Sequence, residues 1–148
     1  MSRRVWLSAL VLSALGIAVR VLVATRREGI DVEGILYLAN AVALVRAPWA
    51  FDPVQQPLYS IVLAPIVATV TDPEWAARVV AAVAGGLCVV PTLWLACGTT
   101  DAPVAWPAGL LVALMPAAVD AGTRVLPDTL LVLFVTLTLA SAIWAAIY

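Results

Sequence analysis

Residues 5–25 read VWLSALVLSALGIAVRVLVAT, and Arg20 is the one charged residue within this stretch. A helix of about 17–25 mostly apolar residues is long enough to cross a bilayer. The stretch therefore predicts a membrane-spanning helix, span one. A retained membrane anchor is favoured over a cleaved signal peptide, because no small-x-small cleavage site follows and Arg20 interrupts the apolar run.

The composition extends this prediction to the whole chain. Of 148 residues, 64% are hydrophobic and 11% are charged, whereas soluble domains have about 45–50% and about 25%. These values indicate an integral membrane protein and exclude a soluble globular enzyme, a disordered tail and a nucleic-acid binder. The chain has no His and no Lys, which excludes histidine metal sites, histidine-based catalysis and a Schiff-base lysine.

Three further stretches have a spanning length and an apolar composition: residues 76–97 (span two), 103–119 (span three) and 129–148 (span four). The predicted fold class is an all-α integral membrane protein with about four transmembrane helices in a single membrane domain, residues 1–148. The loop 26–75 is predicted to hold an amphipathic interfacial helix at 31–46 and a short re-entrant or interfacial helix at 57–70.

The apolar run at residues 57–70 decides the topology. As a helix it would be roughly 21 Å long, against a hydrocarbon core of about 30 Å, and Pro65 interrupts it. We therefore predict that the run does not cross, which places the loop before it and the loop before span four on the same side. The alternative of five spans places these two loops on opposite sides.

The predicted helix at 31–46 has one apolar face and one polar face. Glu33, Tyr37 and Asn40 follow each other at helical spacing on the polar face. A helix of this kind lies in the membrane interface, where it would hold the carboxylates of Asp31 and Glu33 beside the membrane surface. The alternative is a solvated loop whose acids face water.

Other charged residues lie at the predicted ends of the spans. Asp120, Arg124 and Asp128 are spaced four and four, so on a continuous helix the arginine would lie between two carboxylates. The plainer alternative is a helix cap plus an ion pair. Arg20 and Arg78 either extend to the lipid headgroups or bind a lipid phosphate.

Four stretches, taken in order, resemble the N-terminal part of GT-C glycosyltransferases. The nearest families in pattern are the protein O-mannosyltransferases and the aminoarabinose transferases. The stretches are EGILYLA at 33–39, PLY at 57–59, ARVVAAVAGG at 77–86 with Pro91 beyond it, and GTRVLPD at 122–128. Many relatives have a Lys or His just before the second stretch, where this chain has Gln55 and Gln56.

The resemblance implies an active site at the membrane surface. The family places its catalytic acid four residues before the Tyr, which is Glu33 here, and Asp31 could substitute for it. Asp128 would be the second acid of the site. The residues expected to bind substrate are Tyr37, Asn40, Tyr59, Arg78 and Arg124. No metal and no cofactor is expected.

The resemblance also implies a partner and a location. The expected donor is a polyprenyl-phosphate sugar, and the expected location is the cell membrane, multi-pass, with the active-site loops extracytoplasmic. The Arg distribution favours the opposite orientation, but the positive-inside rule is weak for long loops. Because family enzymes have many more spans, the chain is expected to be a fragment, a split subunit or a degenerate copy. Its expected partners are membrane lipids and either a further membrane subunit or a missing C-terminal part. The alternatives are a non-catalytic membrane subunit, a lipid-binding partner and a small transporter component with a polar path.

Overall fold

The computed structural model describes residues 3–52, 55–99 and 102–147. Within these ranges the chain contains no strand. It consists of α-helices, a short 3₁₀ helix at Pro48–Ala50 and the turns that connect them. The α-helices are α1 (Arg3–Ala24), α2 (Val32–Arg46), α3 (Pro57–Val67), α4 (Pro73–Leu87), α5 (Val89–Thr99), α6 (Ala102–Leu114), α7 (Pro116–Ala121) and α8 (Asp128–Ile147).

Three helices in the described part of the chain are long and apolar enough to cross a membrane. They are Val5–Ala24, Pro73–Thr99, in which α4 and α5 follow each other, and Asp128–Ile147. The predicted span at 103–119 is not one continuous helix, because helix α6 ends at Leu114 and a new helix begins at Pro116. Proline has no N–H for the helix ladder, which accounts for the break. The chain is an all-α integral membrane protein.

The centre of the bundle is a close crossing of α1 and α4. A Cβ added to Gly86 would lie 2.3 Å from a side-chain carbon of Ile17 and 2.9 Å from its backbone nitrogen. Ala81, Ala82 and Ala84 are buried on the same helix. Small residues permit such close approach between membrane helices, so the alanines and glycines of α4 form a helix–helix contact with α1.

Three tryptophans mark one end of the bundle. The Trp94 ring lies 6.4 Å from the Trp6 ring and 6.3 Å from the Trp144 ring, measured between centroids. The indole Nε1 of Trp144 donates to the backbone oxygen of Trp94 at 3.2 Å. Tryptophan concentrates at membrane interfaces, which makes this end of α1, α5 and α8 an interfacial end.

The helices α2 and α3 pack together at the opposite end. Tyr37, Tyr59 and Leu63 belong to one buried cluster with Ala77 of α4 and Leu130 of α8. The length of α3 is 11 residues, or roughly 16 Å, which is short of the hydrocarbon core. The prediction that this segment does not cross the membrane stays a prediction.

The helix predicted at 31–46 is present as α2, and its sides differ in burial. Tyr37, Asn40 and Ala41 are buried against the protein. The apolar side chains of Ile35 and Val45 are instead exposed. A helix with one side packed on the bundle and apolar residues exposed on another is suited to the interface plane.

Candidate active site

The structure brings residues from three helices together at the end that α2 and α3 cover. Tyr37 lies on α2, Tyr59 on α3, and Asp128 is the first residue of α8. The rings of Tyr37 and Tyr59 meet edge to face with centroids 5.4 Å apart. The hydroxyl of Ser60 donates to the backbone oxygen of Tyr37 at 3.1 Å, which fixes α3 against α2.

The pKa of the Tyr37 hydroxyl depends on burial and on two of the predicted acids, Glu33 and Asp128. Burial raises the pKa of the Tyr37 hydroxyl, and the negative charges of Glu33 and Asp128 raise this pKa further. Burial also raises the pKa of the Tyr59 hydroxyl. The structure thus brings Tyr37 and Tyr59 together, and the charges of Glu33 and Asp128 act on the Tyr37 hydroxyl.

The Tyr59 hydroxyl is a buried donor without a hydrogen-bond partner among the described residues. Tyr59 itself is 1% exposed. It lines a cavity of about 210 Å³ together with Pro127 and Leu130. Buried polar atoms are usually hydrogen-bonded, so this orphaned hydroxyl is a group that a ligand or a water molecule can satisfy.

The carboxylates of Glu33 and Asp128 are exposed at the rim of the cluster. In the described part of the chain neither has an ion-pair partner. Gly34 brings α2 close to the segment before α8, since a Cβ there would lie 2.9 Å from the backbone oxygen of Val125. An unpaired carboxylate at the surface is available to accept a proton.

Asp31 occupies a different position from Glu33. It is the N-cap residue of α2, in an extended backbone conformation, and its side chain makes no capping hydrogen bond. It is half-buried. No grouping of three or more potential metal ligands occurs among the residues that the structure describes.

Asn40 holds the loop after α2. Its side-chain nitrogen donates to the backbone oxygen of Asp52 at 3.1 Å, and its oxygen accepts from the Asp52 N–H at 3.0 Å. Asn40 is buried. These two bonds give Asn40 a structural role, and its contact with substrate stays a prediction.

Arg78 caps the C-terminal end of α1. Its Nη1 donates to the backbone oxygens of Ala24 at 3.2 Å and Arg27 at 2.6 Å. Its Nη2 donates to the backbone oxygen of Gly29 at 2.6 Å and pairs with Glu74. The side chain is buried and does not extend to the headgroups. Its contact with a donor phosphate stays a prediction.

The predicted stack of Asp120, Arg124 and Asp128 forms only in part. Arg124 pairs with Asp120 at 2.9 Å, but α7 ends at Ala121, so no continuous helix carries the arginine to Asp128. The other partner of Asp120 is Arg27, at 2.7 Å. The helical spacing did not predict Arg27 as a partner of Asp120, because Arg27 lies in a distant part of the chain.

The Asp120 ion pairs predict a stability that depends on pH. Hydrogen bonds from Arg27 and Arg124 hold the pKa of the Asp120 carboxyl below its ordinary value. A lowered pKa in the folded state stabilises the fold above the unfolded pKa of about 3.9, and this stabilisation is lost as pH falls through the folded pKa.

We therefore expect Asp120→Asn to lower the melting temperature in detergent at pH 7, and to lower it less at pH 2. Because Asp120 is largely exposed, the effect should be small. Glu28→Gln, at another exposed carboxylate, should change neither value. A loss that is as large at pH 2 as at pH 7 would show that the pairs with Arg27 and Arg124 are not its cause.

Arg20 is a feature that sequence reasoning interpreted wrongly. It neither extends to the headgroups nor faces lipid, because it is 1% exposed and donates to backbone oxygens of α6 and α7. Pro116 was the available signal, since a proline inside an apolar run leaves helix carbonyls without donors.

An apolar groove of about 810 Å³ leads to the cluster along α4. It is lined by side chains of α4 and α8, by the end of α3 and by the turn between α3 and α4. Leu130 lines both this groove and the cavity beside Tyr59. The side chains that matter here are Trp75, Val79, Val83 and Leu87 of α4, with Leu130 and Leu133 of α8.

The fold and the site together define a class: a helical membrane protein with two exposed carboxylates, a pair of packed tyrosines and an apolar groove along α4. The family that matches the chain is described as dolichyl-phosphate-mannose-protein mannosyltransferase, and the match covers residues 36–147. The chain belongs to this family and is a membrane glycosyltransferase of the mannosyltransferase kind. No curated protein and no solved structure gives a significant match.

Proposed function

We propose that the chain transfers a sugar from a polyprenyl-phosphate donor to a hydroxyl acceptor at the extracytoplasmic surface. The groove along α4 carries this proposal. The residues from Trp75 to Leu87 span roughly 18 Å of helix, and the groove is lined mainly by apolar side chains. An isoprenoid chain is a linear apolar ligand that suits such a groove. The family description names mannose as the sugar.

We assign the chemistry to the exposed carboxylates of Glu33 and Asp128. Glu33 accepts the proton of the acceptor hydroxyl while the acceptor oxygen attacks the sugar C1. The bond between C1 and the phosphate oxygen breaks, and its electron pair leaves with the polyprenyl phosphate. Asp128 faces the reacting sugar as the second acid, and the Tyr59 hydroxyl is available to hydrogen-bond the donor.

Blocking the groove tests the donor proposal. Val83→Trp places an indole in the groove, and we expect retention of a polyprenyl phosphate to fall by about tenfold or more. Each displaced methylene costs about 0.8 kcal/mol, and about 1.4 kcal/mol corresponds to tenfold in affinity. Binding would be measured with a radiolabelled polyprenyl phosphate and the purified chain in nanodiscs.

Leu139→Trp is the matched control, because Leu139 is exposed on α8 and does not line the groove. It should bind as the wild type does. Equal binding by both tryptophan variants would count against the groove as the donor site.

The topology is tested by thiol labelling. In a chain with Cys88→Ala and Cys97→Ala, we expect Asp52→Cys and Asp128→Cys to react with an impermeant maleimide in intact cells. Thr99→Cys, at the far end of α5, should react only after permeabilisation. Labelling of positions 52 and 128 from opposite sides would exclude a shared site.

A further inference from the structure

Arg20 is the largest fully buried side chain in the described part of the protein. Its Nη1 donates to the backbone oxygens of Gly16 at 3.0 Å and Ala113 at 2.9 Å. Its Nη2 donates to those of Val112 at 3.0 Å and Ala118 at 3.2 Å. Among the described residues no carboxylate pairs with it, so backbone carbonyls alone receive its hydrogen bonds.

Two of these carbonyls, those of Val112 and Ala113, lie at the end of α6 just before the break, and that of Ala118 lies within α7, where it also accepts from the Gly122 N–H. Pro116 has no N–H, so the oxygen of Val112 loses the donor that a continuous helix would supply four residues later. The last carbonyls of any helix lack intrahelical partners. Arg20 supplies the missing donors, and the partial negative charge at the C-terminal end of α6 favours its positive charge.

Close packing around Arg20 restricts the position of its side chain. A Cβ added to Gly85 of α4 or to Gly122 would lie 2.6 Å from Nε of Arg20. The side chain therefore runs between two glycines, one on α4 and one just after α7. Through these contacts Arg20 joins α1, α4, α6 and the start of the segment that leads to α8.

That segment ends at Asp128. The hydroxyl of Thr129 donates to the backbone oxygen of Ala121 at 3.2 Å, which ties the first turn of α8 to the end of α7. Arg20, Asp128 and Thr129 also line one small cavity of about 120 Å³. The position of the Asp128 carboxylate is thus connected to Arg20 through α7, Gly122 and the Thr129 hydrogen bond.

We propose that Arg20 is a positioning residue for Asp128, and this rests on the proposed glycosyltransferase function. By holding the break between α6 and α7 open, Arg20 fixes the point from which the chain returns to α8. Asp128 is thereby held facing Tyr37 and the reacting sugar. Arg20 does not touch the substrate and acts only through the backbone that it binds.

Kinetics distinguish this role from a general effect on stability. We expect Arg20→Met to lower kcat by about 10²-fold, the effect of a misplacement of about 1 Å, with KM for the donor unchanged. Transfer would be measured in native membranes from cells that carry the variant in place of the wild type. Arg20→Lys keeps the charge but loses the planar fork, and should lose activity while retaining more stability.

The decisive comparison adds Pro116→Ala to the Arg20→Met protein. This second substitution returns an N–H to the oxygen of Val112 and should restore the melting temperature of Arg20→Met. It should not restore kcat, because the straightened helix moves the segment before α8. Recovery of both quantities would reduce Arg20 to a stability role and overturn the proposal.

A second measurement needs no catalysis. With Cys88 and Cys97 replaced by Ala, the maleimide reaction rate of Asp128→Cys should change severalfold when Arg20→Met is added. The rate of Glu33→Cys should stay constant. Equal maleimide reaction rates for Asp128→Cys with and without Arg20→Met would overturn the proposal. Absence of transfer by the wild type would count against the proposed function alone, since the labelling result does not depend on it.

Discussion

Replacing Glu33 by Gln should lower turnover by about 10²–10⁴-fold, the usual contribution of a general base. The substitution keeps the shape of the side chain and removes its ability to accept a proton. Glu33 is exposed at the rim of the cluster, and its charge acts on the Tyr37 hydroxyl. The measurement is transfer from a radiolabelled polyprenyl-phosphate mannose in native membranes, with donor binding checked separately.

Asp31→Asn is the matched control, because it makes the same change two residues earlier. Asp31 is the N-cap of α2 and its side chain makes no capping bond, so its loss should reduce turnover much less. The reverse ranking would assign the base to Asp31. Unchanged turnover in both variants would favour a non-catalytic membrane subunit.

The membrane class and the helical fold could be predicted from the sequence because both follow from local patterns. Long apolar runs give spanning helices, and the spacing of Glu33, Tyr37 and Asn40 gave the helix α2. The resemblance to protein O-mannosyltransferases is confirmed by the family match over residues 36–147. The apolar runs and the helical spacing each lie within a few consecutive turns of helix.

The partners of the polar side chains could not be predicted in the same way. Asn40 binds the backbone of Asp52, and Arg78 binds carbonyls about 50 residues earlier in the chain. Any residue can offer a backbone oxygen, so such contacts leave no signature in the side chains. Helical spacing likewise suggested an Arg124–Asp128 contact that the end of α7 prevents.

Arg20 and Arg78 both donate hydrogen bonds to backbone carbonyls at helix ends, but at different places in the bundle. Arg78 binds the carbonyls at the end of α1, and Arg20 binds those at the end of α6. A backbone carbonyl that is buried away from water is costly when it has no hydrogen-bond donor. A buried arginine is favoured at such an end because it offers several donors and a positive charge.

Gly122→Ala should destabilise the fold by about 1–3 kcal/mol, the usual effect of overpacking a close-packed interior. The backbone at Gly122 has a φ of −73°, which any residue adopts, so the cost is steric. The added Cβ would lie 2.6 Å from Nε and 2.7 Å from Cδ of Arg20. Neither atom is the free end of the side chain, since its terminal nitrogens bind four carbonyls.

Gly98→Ala is the control for this substitution. A Cβ there would lie 3.4 Å from Nε1 of Trp144, an ordinary van der Waals distance, and alanine favours helix by up to about 1 kcal/mol over glycine. Thermal unfolding in detergent should therefore show a loss for Gly122→Ala and none for Gly98→Ala. A Gly122→Ala protein as stable as the wild type would mean that Arg20 can move aside, and that the break between α6 and α7 is not held by it.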